Sequence, residues 1–205
     1  MAKVATGLSM SLDGFIAGPN DGSQSPLGDG GERLFAWYSS GDTDYRLPGT
    51  EMVFRVSSAS AELLRETHSK MGAFVTGRRT FDITNGWGGR PPLDVPTFVV
   101  THTVPQEWVY EGSPFTFVTD GIESALEQAK AAAGDKDVAV MGGPDIGRQF
   151  IEAGLVDEIG VHLVPVLFGS GTRMFEHLGG EHIQLETTSV IETPAAIHLG
   201  FRVVR

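Results

Sequence analysis

The sequence predicts an α/β protein built on a mixed sheet, with a parallel centre, antiparallel carboxyl-terminal strands and helices on both faces. Two observations carry that expectation. Up to residue 155, apolar strand patterns alternate with helical ones, and such alternation needs crossover connections that set strands parallel. After residue 157 the pattern changes to long strand-like segments with no helix between them, which favours antiparallel pairing.

The first strand is legible in a period of two: Val4, Thr6, Leu8, Met10 and Leu12 alternate with Ala5, Gly7, Ser9 and Ser11. The small residues of the second set would let another group lie close to the backbone. A turn at Ser11-Leu12-Asp13-Gly14 ends this strand. Residues 19–31 form a loop rich in Gly, Asp, Ser and Pro, whose length suits either a functional lid or a disordered excursion. Leu34, Phe35, Ala36, Trp37 and Tyr38 read as a short helix whose aromatics serve as core or as a pocket wall. Residues 57–71 read as a helix with serines at its entry and Gly72 as its stop.

Strands follow at 73–77, 96–101 and 115–119. Asp120 and Glu123 fit a capping box before a helix whose buried face holds Ile122, Ala125, Leu126, Ala129 and Ala133. A strand at 138–141 leads into a helix that closes at Gly154, with Leu155 packing back. Segments 158–168, 183–192 and 197–204 read as strands, and Thr193-Pro194-Ala195 as the hairpin between the last two.

A chain of 205 residues suits one domain over residues 1–205, and no repeat or low-complexity linker divides it. With 26 acidic against 15 basic residues the net charge is −11, which argues against nucleic acid and anionic membranes as partners. A small anionic cofactor is compatible with that charge, because local arginines and helix ends can hold it. The lack of cysteine excludes disulfides, thiolate metal sites and a cysteine nucleophile. His68, His162, His177, His182 and His198 show no ligand spacing, so no metal is expected. Ser170 lies in a glycine-flanked bend between strands and not in a strand-to-helix elbow, which argues against a hydrolase. Without a signal-like or membrane-length apolar run, a soluble cytoplasmic protein acting on a small molecule is the expectation. Pairing of the long carboxyl-terminal strands across a two-fold axis would give a homodimer.

Three segments carry the chemistry. The run from Val138 to Met141 is followed by Gly142-Gly143-Pro144-Asp145-Ile146. A strand, bare glycines and a helix start with Pro in its first turn present free N–H groups to an anion such as a phosphate. The same stretch fits a tight βα turn with no ligand. Thr76-Gly77-Arg78-Arg79-Thr80 leaves another strand for another helix start, where an arginine fork and a threonine hydroxyl suit phosphate oxygens. Thr101-His102 ends a third strand. Ligands of open α/β sheets bind outside the carboxyl ends of strands, so three such ends at one rim would line a single cleft.

The ordered set of residues 11–18, 76–81, 141–146 and 164–171 resembles the dihydrofolate-reductase-like superfamily, and more closely its RibD C-terminal branch, associated with riboflavin biosynthesis. The resemblance implies a dihydrofolate-reductase-like fold and an NADPH-dependent reductase acting on a pyrimidine/ribose- or pteridine-type small molecule. By position it implies that Gly77, Arg78, Arg79 and Thr80 hold cofactor phosphates. Thr101 and His102 would lie at the adenine-ribose side, and Gly142, Gly143, Pro144, Asp145 and Ile146 under the pyrophosphate and nicotinamide ribose. Ala5, Ile16 and Ala17 would face the nicotinamide. Pro144 stands where folate reductases usually carry a third glycine, which removes one N–H contact.

On the substrate side, Glu62 falls within about one residue of the acid that folate reductases place on the helix before the Gly-Arg strand. An acid in a cleft can bind a ring N–H and assist protonation; Glu62 also fits a solvated helix face. Asp13 is a competing acid, and equally a turn-forming Asp before Gly. Trp37, Asp82 and Trp87 either line the substrate pocket or pack and solvate. A true dihydrofolate reductase and a non-catalytic NADPH-binding protein are the alternative readings. No deaminase motif is present.

Overall fold

The computed structural model describes residues 2–179 and 182–205. Strand β1 (Val4–Ser11) opens the chain, followed by β2 (Phe15–Ala17), a 3₁₀ segment (Gly31–Ser39) and the hairpin of β3 (Thr43–Arg46) and β4 (Val53–Val56). Next come α1 (Ser58–Lys70), β5 (Met71–Gly77), α2 (Arg78–Ile83), β6 (Thr97–Val100), β7 (Phe115–Val118), α3 (Ile122–Ala133), β8 (Asp137–Met141) and α4 (Pro144–Glu152). Strands β9 (Glu158–Val164), β10 (Thr172–Arg173), β11 (Leu185–Glu192) and β12 (Ile197–Val203) complete the order.

Eight strands form the main sheet in the order β11-β12-β9-β1-β8-β5-β6-β7. The six from β9 to β7 run parallel, and β12 and β11 return antiparallel at one edge. The α/β class and the mixed sheet expected from the sequence are therefore present.

Alternation along the strands sorts residues onto two faces. Ala73 and Val75 of β5 join Val4, Val138 and Val140 beneath α3 and α4. Phe74 turns to the other face with Met71 and Leu93. On that second face, Ala61 and Leu64 of α1 pack with Leu34, Trp37, Tyr45, Val56 and Val164. Full burial of a side chain such as Phe150 or Leu34 stabilises the fold by about 1.5–3 kcal/mol.

Helix α1 starts where its serines indicated: the Ser57 hydroxyl accepts from the Ser60 N–H at 3.1 Å. It ends differently, because Met71 is already extended and passes directly into β5, so Gly72 is no stop signal. The capping box at Asp120 and Glu123 does not form. Gly121, at φ 104, is the N-cap and shifts the helix start by one residue, beyond reach of the Asp120 side chain. Strand β9 stops at Val164 rather than 168, since its partner β1 ends opposite it at Ser11 and Pro165 offers no N–H to continue. The short helix expected at Leu34–Tyr38 is a 3₁₀ segment over Gly31–Ser39. The β3–β4 hairpin and the short β2–β10 pair have no clear sequence signal. Loop 19–31 is ordered, with Gly18 N–H on Leu27 O at 2.9 Å and Asp29 N–H on Pro19 O at 2.7 Å.

Two features of the second face matter below. Gly7, Gly160 and Gly200 stand side by side on β1, β9 and β12, and Gly7 is exposed in the middle of the sheet. The second feature is a cluster of buried polar groups: Ser9, Ser60 and His198 are each 3% exposed or less. Burial pushes the pKa of His162 down to about 3, with smaller effects from His198 and His68. Burial likewise lowers His68 to about 4 and lowers His198.

Gly7→Ala should destabilise the protein by about 1–3 kcal/mol in urea unfolding, as overpacking does, because its Cβ would stand 2.7 Å from Gly160 O. The histidines set a second outcome. The unfolded chain takes up protons near pH 6.5 where the folded rings stay neutral, so stability should be full above that pH and fall as pH drops through the window from 6.5 to about 3. The slope is up to about 1.4 kcal/mol per pH unit for each ring. Urea midpoints unchanged between pH 7 and pH 5 would contradict the neutral assignment.

Candidate functional site

The parallel register gathers three strand ends at one rim. Thr76 stands opposite Met141, and Gly77 opposite Val100, so segments 76–80, 101–103 and 142–146 leave neighbouring strands side by side. Gly142 has φ 129, a conformation that L side chains avoid. A Cβ there would collide with Thr80 Oγ1 and stand 3.1 Å from Thr76 Oγ1. Gly143 N–H donates to Thr80 Oγ1 at 3.1 Å, and a Cβ on Gly143 would meet open space. Pro144 is in the first turn of α4, whose unpaired N–H groups favour an anion. Gly77 lets α4 approach, since a Cβ on it would already touch Ile146 Cβ at 3.4 Å.

One atom at this rim has no partner. Thr76 is fully buried and its Oγ1 makes no hydrogen bond among the described residues. A buried, unsatisfied hydroxyl costs about 1–3 kcal/mol, and this one lies against the bare backbone of Gly142. Thr76 Oγ1 is sealed beside Gly142, so an incoming group completes its hydrogen bonding only if the Gly142 backbone shifts.

Both arginines are engaged. Arg78 Nε lies 2.7 Å from Asp82 Oδ1, and its Nη1 donates to Thr103 O at 2.7 Å and to Thr101 Oγ1 at 3.4 Å. Arg79 Nη2 donates to Asp21 Oδ2 at 2.8 Å, while Asp21 Oδ1 accepts from Thr172 Oγ1 at 3.2 Å. Asp21 thus ties loop 19–31 to the start of α2 and to β10. The Arg78–Asp82 pair is largely exposed, and such pairs contribute about 0–1 kcal/mol, so a phosphate can replace Asp82 at little cost; the Asp21 side chain is only 19% exposed and is held by Thr172 as well. Thr101 is buried and closes its own turn on Thr103, with His102 exposed beside it. Asp145 is exposed, 3.7 Å from Arg148. Ala5 is half-buried, while Ile16 and Ala17 are buried in β2.

The substrate-side candidates scatter. Asp13 is a strut: its carboxylate accepts from Phe168 N–H at 3.1 Å, Gly169 N–H at 2.7 Å and the Ser11 hydroxyl at 2.7 Å. Partial desolvation pushes its pKa up, and these hydrogen bonds more than cancel it, bringing the carboxyl down to about 2. Such a group is a poor proton donor near neutrality. Glu62 lies on the exposed face of α1, with no hydrogen-bond partner among the described residues. Trp37 is core, 1% exposed, with its indole N–H on Ser9 Oγ at 3.0 Å. Asp82 is spent on Arg78. Trp87 stacks on Phe115 beside Phe81 and Val99, at the far edge of the sheet. The face that is open instead is marked by Gly7, exposed in a central strand, and the uncovered strip over it is called the trough below. The period-two pattern of β1 signals that face in sequence, yet it does not say which of its small residues stay uncovered.

No described helix is long and apolar enough to cross a membrane. Among the described residues, no three His, Asp or Glu side chains are placed to hold a metal ion.

Comparison with known proteins places this geometry. No curated protein sequence matches the chain. A proposed riboflavin biosynthesis protein from Shewanella sp. PV-4 shares the fold at 18% identity and a TM-score of 0.70, over 99% of each chain. Dihydrofolate reductase from Enterococcus faecalis, solved with NADP(H) and RAB-propyl, gives 16% identity and a TM-score of 0.57 over 98% of this chain and 96% of that one. RibD from Acinetobacter baumannii gives 15% identity and a TM-score of 0.61, and the chain spans only 59% of its length. The model of the RibD C-terminal domain matches residues 2–199. With the sheet order, the strand-end rim and a match over nearly its whole length, this chain belongs to the RibD C-terminal domain family.

Proposed function

We propose that the protein is an NADPH-dependent reductase that transfers a hydride to a pyrimidine/ribose- or pteridine-type small molecule, in the manner of 5-amino-6-(5-phosphoribosylamino)uracil reductases. The observation that carries this reading is the partnerless Thr76 hydroxyl sealed against the bare Gly142-Gly143 backbone, at a helix start where three strand ends converge. A pyrophosphate suits that cradle: anionic, slender and rich in acceptor oxygens. The Enterococcus relative was solved with NADP(H) bound, which supports the same cofactor here.

In this reading Gly142, Gly143, Pro144, Asp145 and Ile146 lie along the pyrophosphate and nicotinamide ribose. Arg78, Arg79, Thr80 and Gly77 take phosphates once Asp82 and Asp21 are displaced. Thr101 and His102 flank the adenine ribose. Ala5, Ile16 and Ala17 bound the nicotinamide, and the exposed trough over Gly7 takes the acceptor. When bound, NADPH supplies the hydride; the chain supplies orientation and the exclusion of water. Asp13 fixes the turn between β1 and β2 to the loop after β9, which keeps that wall in place. Glu62, on the solvent side of α1, has no part in the chemistry.

Titration with NADPH, followed by intrinsic fluorescence, should show saturable binding, and no binding of either NADPH or NADH would end the reductase reading. Thr76→Val separates a cofactor role from a structural one. It should leave folding stability unchanged or raise it by about 1 kcal/mol, because an unsatisfied buried hydroxyl is removed. NADPH affinity should fall about three- to tenfold, the worth of one hydrogen bond. Asp13→Asn should lower stability in urea, whereas Glu62→Gln should leave both stability and turnover of any accepted substrate unchanged.

A further inference from the structure

Four side chains from the start of α1, β12 and β9 form a continuous hydrogen-bonded chain on the face of the sheet that carries the trough. Ser57 Oγ lies 2.9 Å from Ser60 Oγ. Ser60 Oγ is 2.8 Å from His198 Nε2, and His198 Nδ1 is 2.8 Å from His162 Nδ1. Ser9, His162 and His198 occupy one register row across β1, β9 and β12, with the Trp37 ring packed over both imidazoles at about 5 Å. Ser60 and His198 are sealed within the protein, while Ser57 is half-exposed at the start of α1.

The far end of this chain is His162. His162 Nε2 has no hydrogen-bond partner among the described residues. The only side-chain atoms there that are sealed from solvent and partnerless are Thr76 Oγ1 and Arg148 Nε, so Nε2 of His162 borders accessible space. Alternation along β1 puts Ser9 on the same face as Gly7 and Ala5. The β1–β8 pairing ends with Thr6 opposite Val140, so the glycine pair emerges from β8 at the level of Leu8 and Ser9. His162, level with Ser9, lies two strands away, about 10 Å. Gly7, on the strand between them, is exposed.

The two imidazoles face each other through Nδ1, so one must donate and the other accept. Two arrangements satisfy every contact. In the first, Ser57 donates to Ser60, Ser60 to His198 Nε2 and His198 Nδ1 to His162 Nδ1, leaving a proton on His162 Nε2. In the second, every donor and acceptor is exchanged and His162 Nε2 is bare. One concerted shift of protons converts the first into the second.

We propose that Ser57, Ser60, His198 and His162 form a proton wire that carries a solvent proton from the start of α1 to the acceptor in the trough. This inference rests on the reductase reading. His162 Nε2–H passes its proton to one end of the acceptor's double bond as hydride adds to the other. His162 Nδ1 takes the His198 proton, His198 Nε2 takes that of Ser60, Ser60 takes that of Ser57, and Ser57 takes one from water, which leaves hydroxide in solvent. No imidazolate forms, which is what lets a neutral ring act as an acid. When the trough empties, water reprotonates Nε2 and the shift runs back. Burial fits this use, since it keeps both rings neutral. The titratable groups around the pair are Tyr38, stacked on Trp37, and the hydrogen-bonded Tyr45 and His68 from β3 and α1. None is a carboxylate that would hold a protonated ring in place. His198, Ser60 and Ser57 act through His162 and are positioning residues.

The test is nitrogen-15 NMR of the histidine-labelled full chain, without added substrate, at pH 6 to 8. The rings should stay neutral across this range, one Nδ1–H facing one bare Nδ1, and that enclosed Nδ1 proton should exchange with water. Ser60→Ala should slow that exchange about tenfold, the loss of one hydrogen-bonded link, while Ser60→Thr restores it. NADPH added to the same sample should shift the His162 resonances. A protonated pair at neutral pH, or exchange indifferent to Ser60→Ala with the rings still paired, would overturn the wire. Fluorescence titration of the same sample reports separately on NADPH: absent binding with the tautomers intact removes the reductase reading, and binding that leaves His162 unmoved removes its link to the trough.

Discussion

The structure depends on the parallel register of β8, β5 and β6. Placing Thr76 opposite Met141 and Gly77 opposite Val100 fixes where each strand stops and therefore which backbone groups emerge together. A parallel ladder tolerates no one-residue slip here, because a slip would turn Ala73, Val75, Val138 and Val140 away from α3 and α4. The same burial that stabilises the sheet therefore sets the geometry of the rim. Gly142 follows from it: it lies where a strand end crowds against the start of α2, with no room for a Cβ, while a Cβ on Gly77 would just touch Ile146.

Much of this was legible in the sequence because it is local. Period-two alternation in β1, the Ser57 cap of α1, the apolar face of α3 and the glycine pair before Pro144 each lie within one element, where spacing alone carries the information. The three strand ends were legible for the same reason, and their meeting follows once the strands are taken as parallel neighbours. What escaped depends on distant partners. The length of β9 is set by β1, the β3–β4 hairpin by what it covers, and the start of α3 by the backbone of Gly121. Trp37, Asp82 and Trp87 carry side chains suited to a pocket, yet each finds a partner within the fold: Ser9, Arg78 and Phe115 respectively.

The acids show the same limit from another side. Asp13 and Glu62 carry suitable chemistry in the sequence, but chemistry in a cleft needs an acid that is neither saturated nor solvated. Three hydrogen bonds saturate Asp13, and α1 turns Glu62 to water. The proposed donor, His162, keeps Nε2 free of partners, and His198, which holds its other nitrogen, stands 36 residues away on the neighbouring strand. No spacing rule joins them; only the antiparallel register of β9 with β12 does.

The most direct measurement of the central claim is a crystal structure with NADP⁺. The account expects the pyrophosphate over the Gly142-Gly143 backbone at the start of α4, with Thr76 Oγ1 gaining a hydrogen bond and Arg79 released from Asp21. A dinucleotide bound elsewhere on the surface, with Thr76 Oγ1 still without a partner, would contradict it.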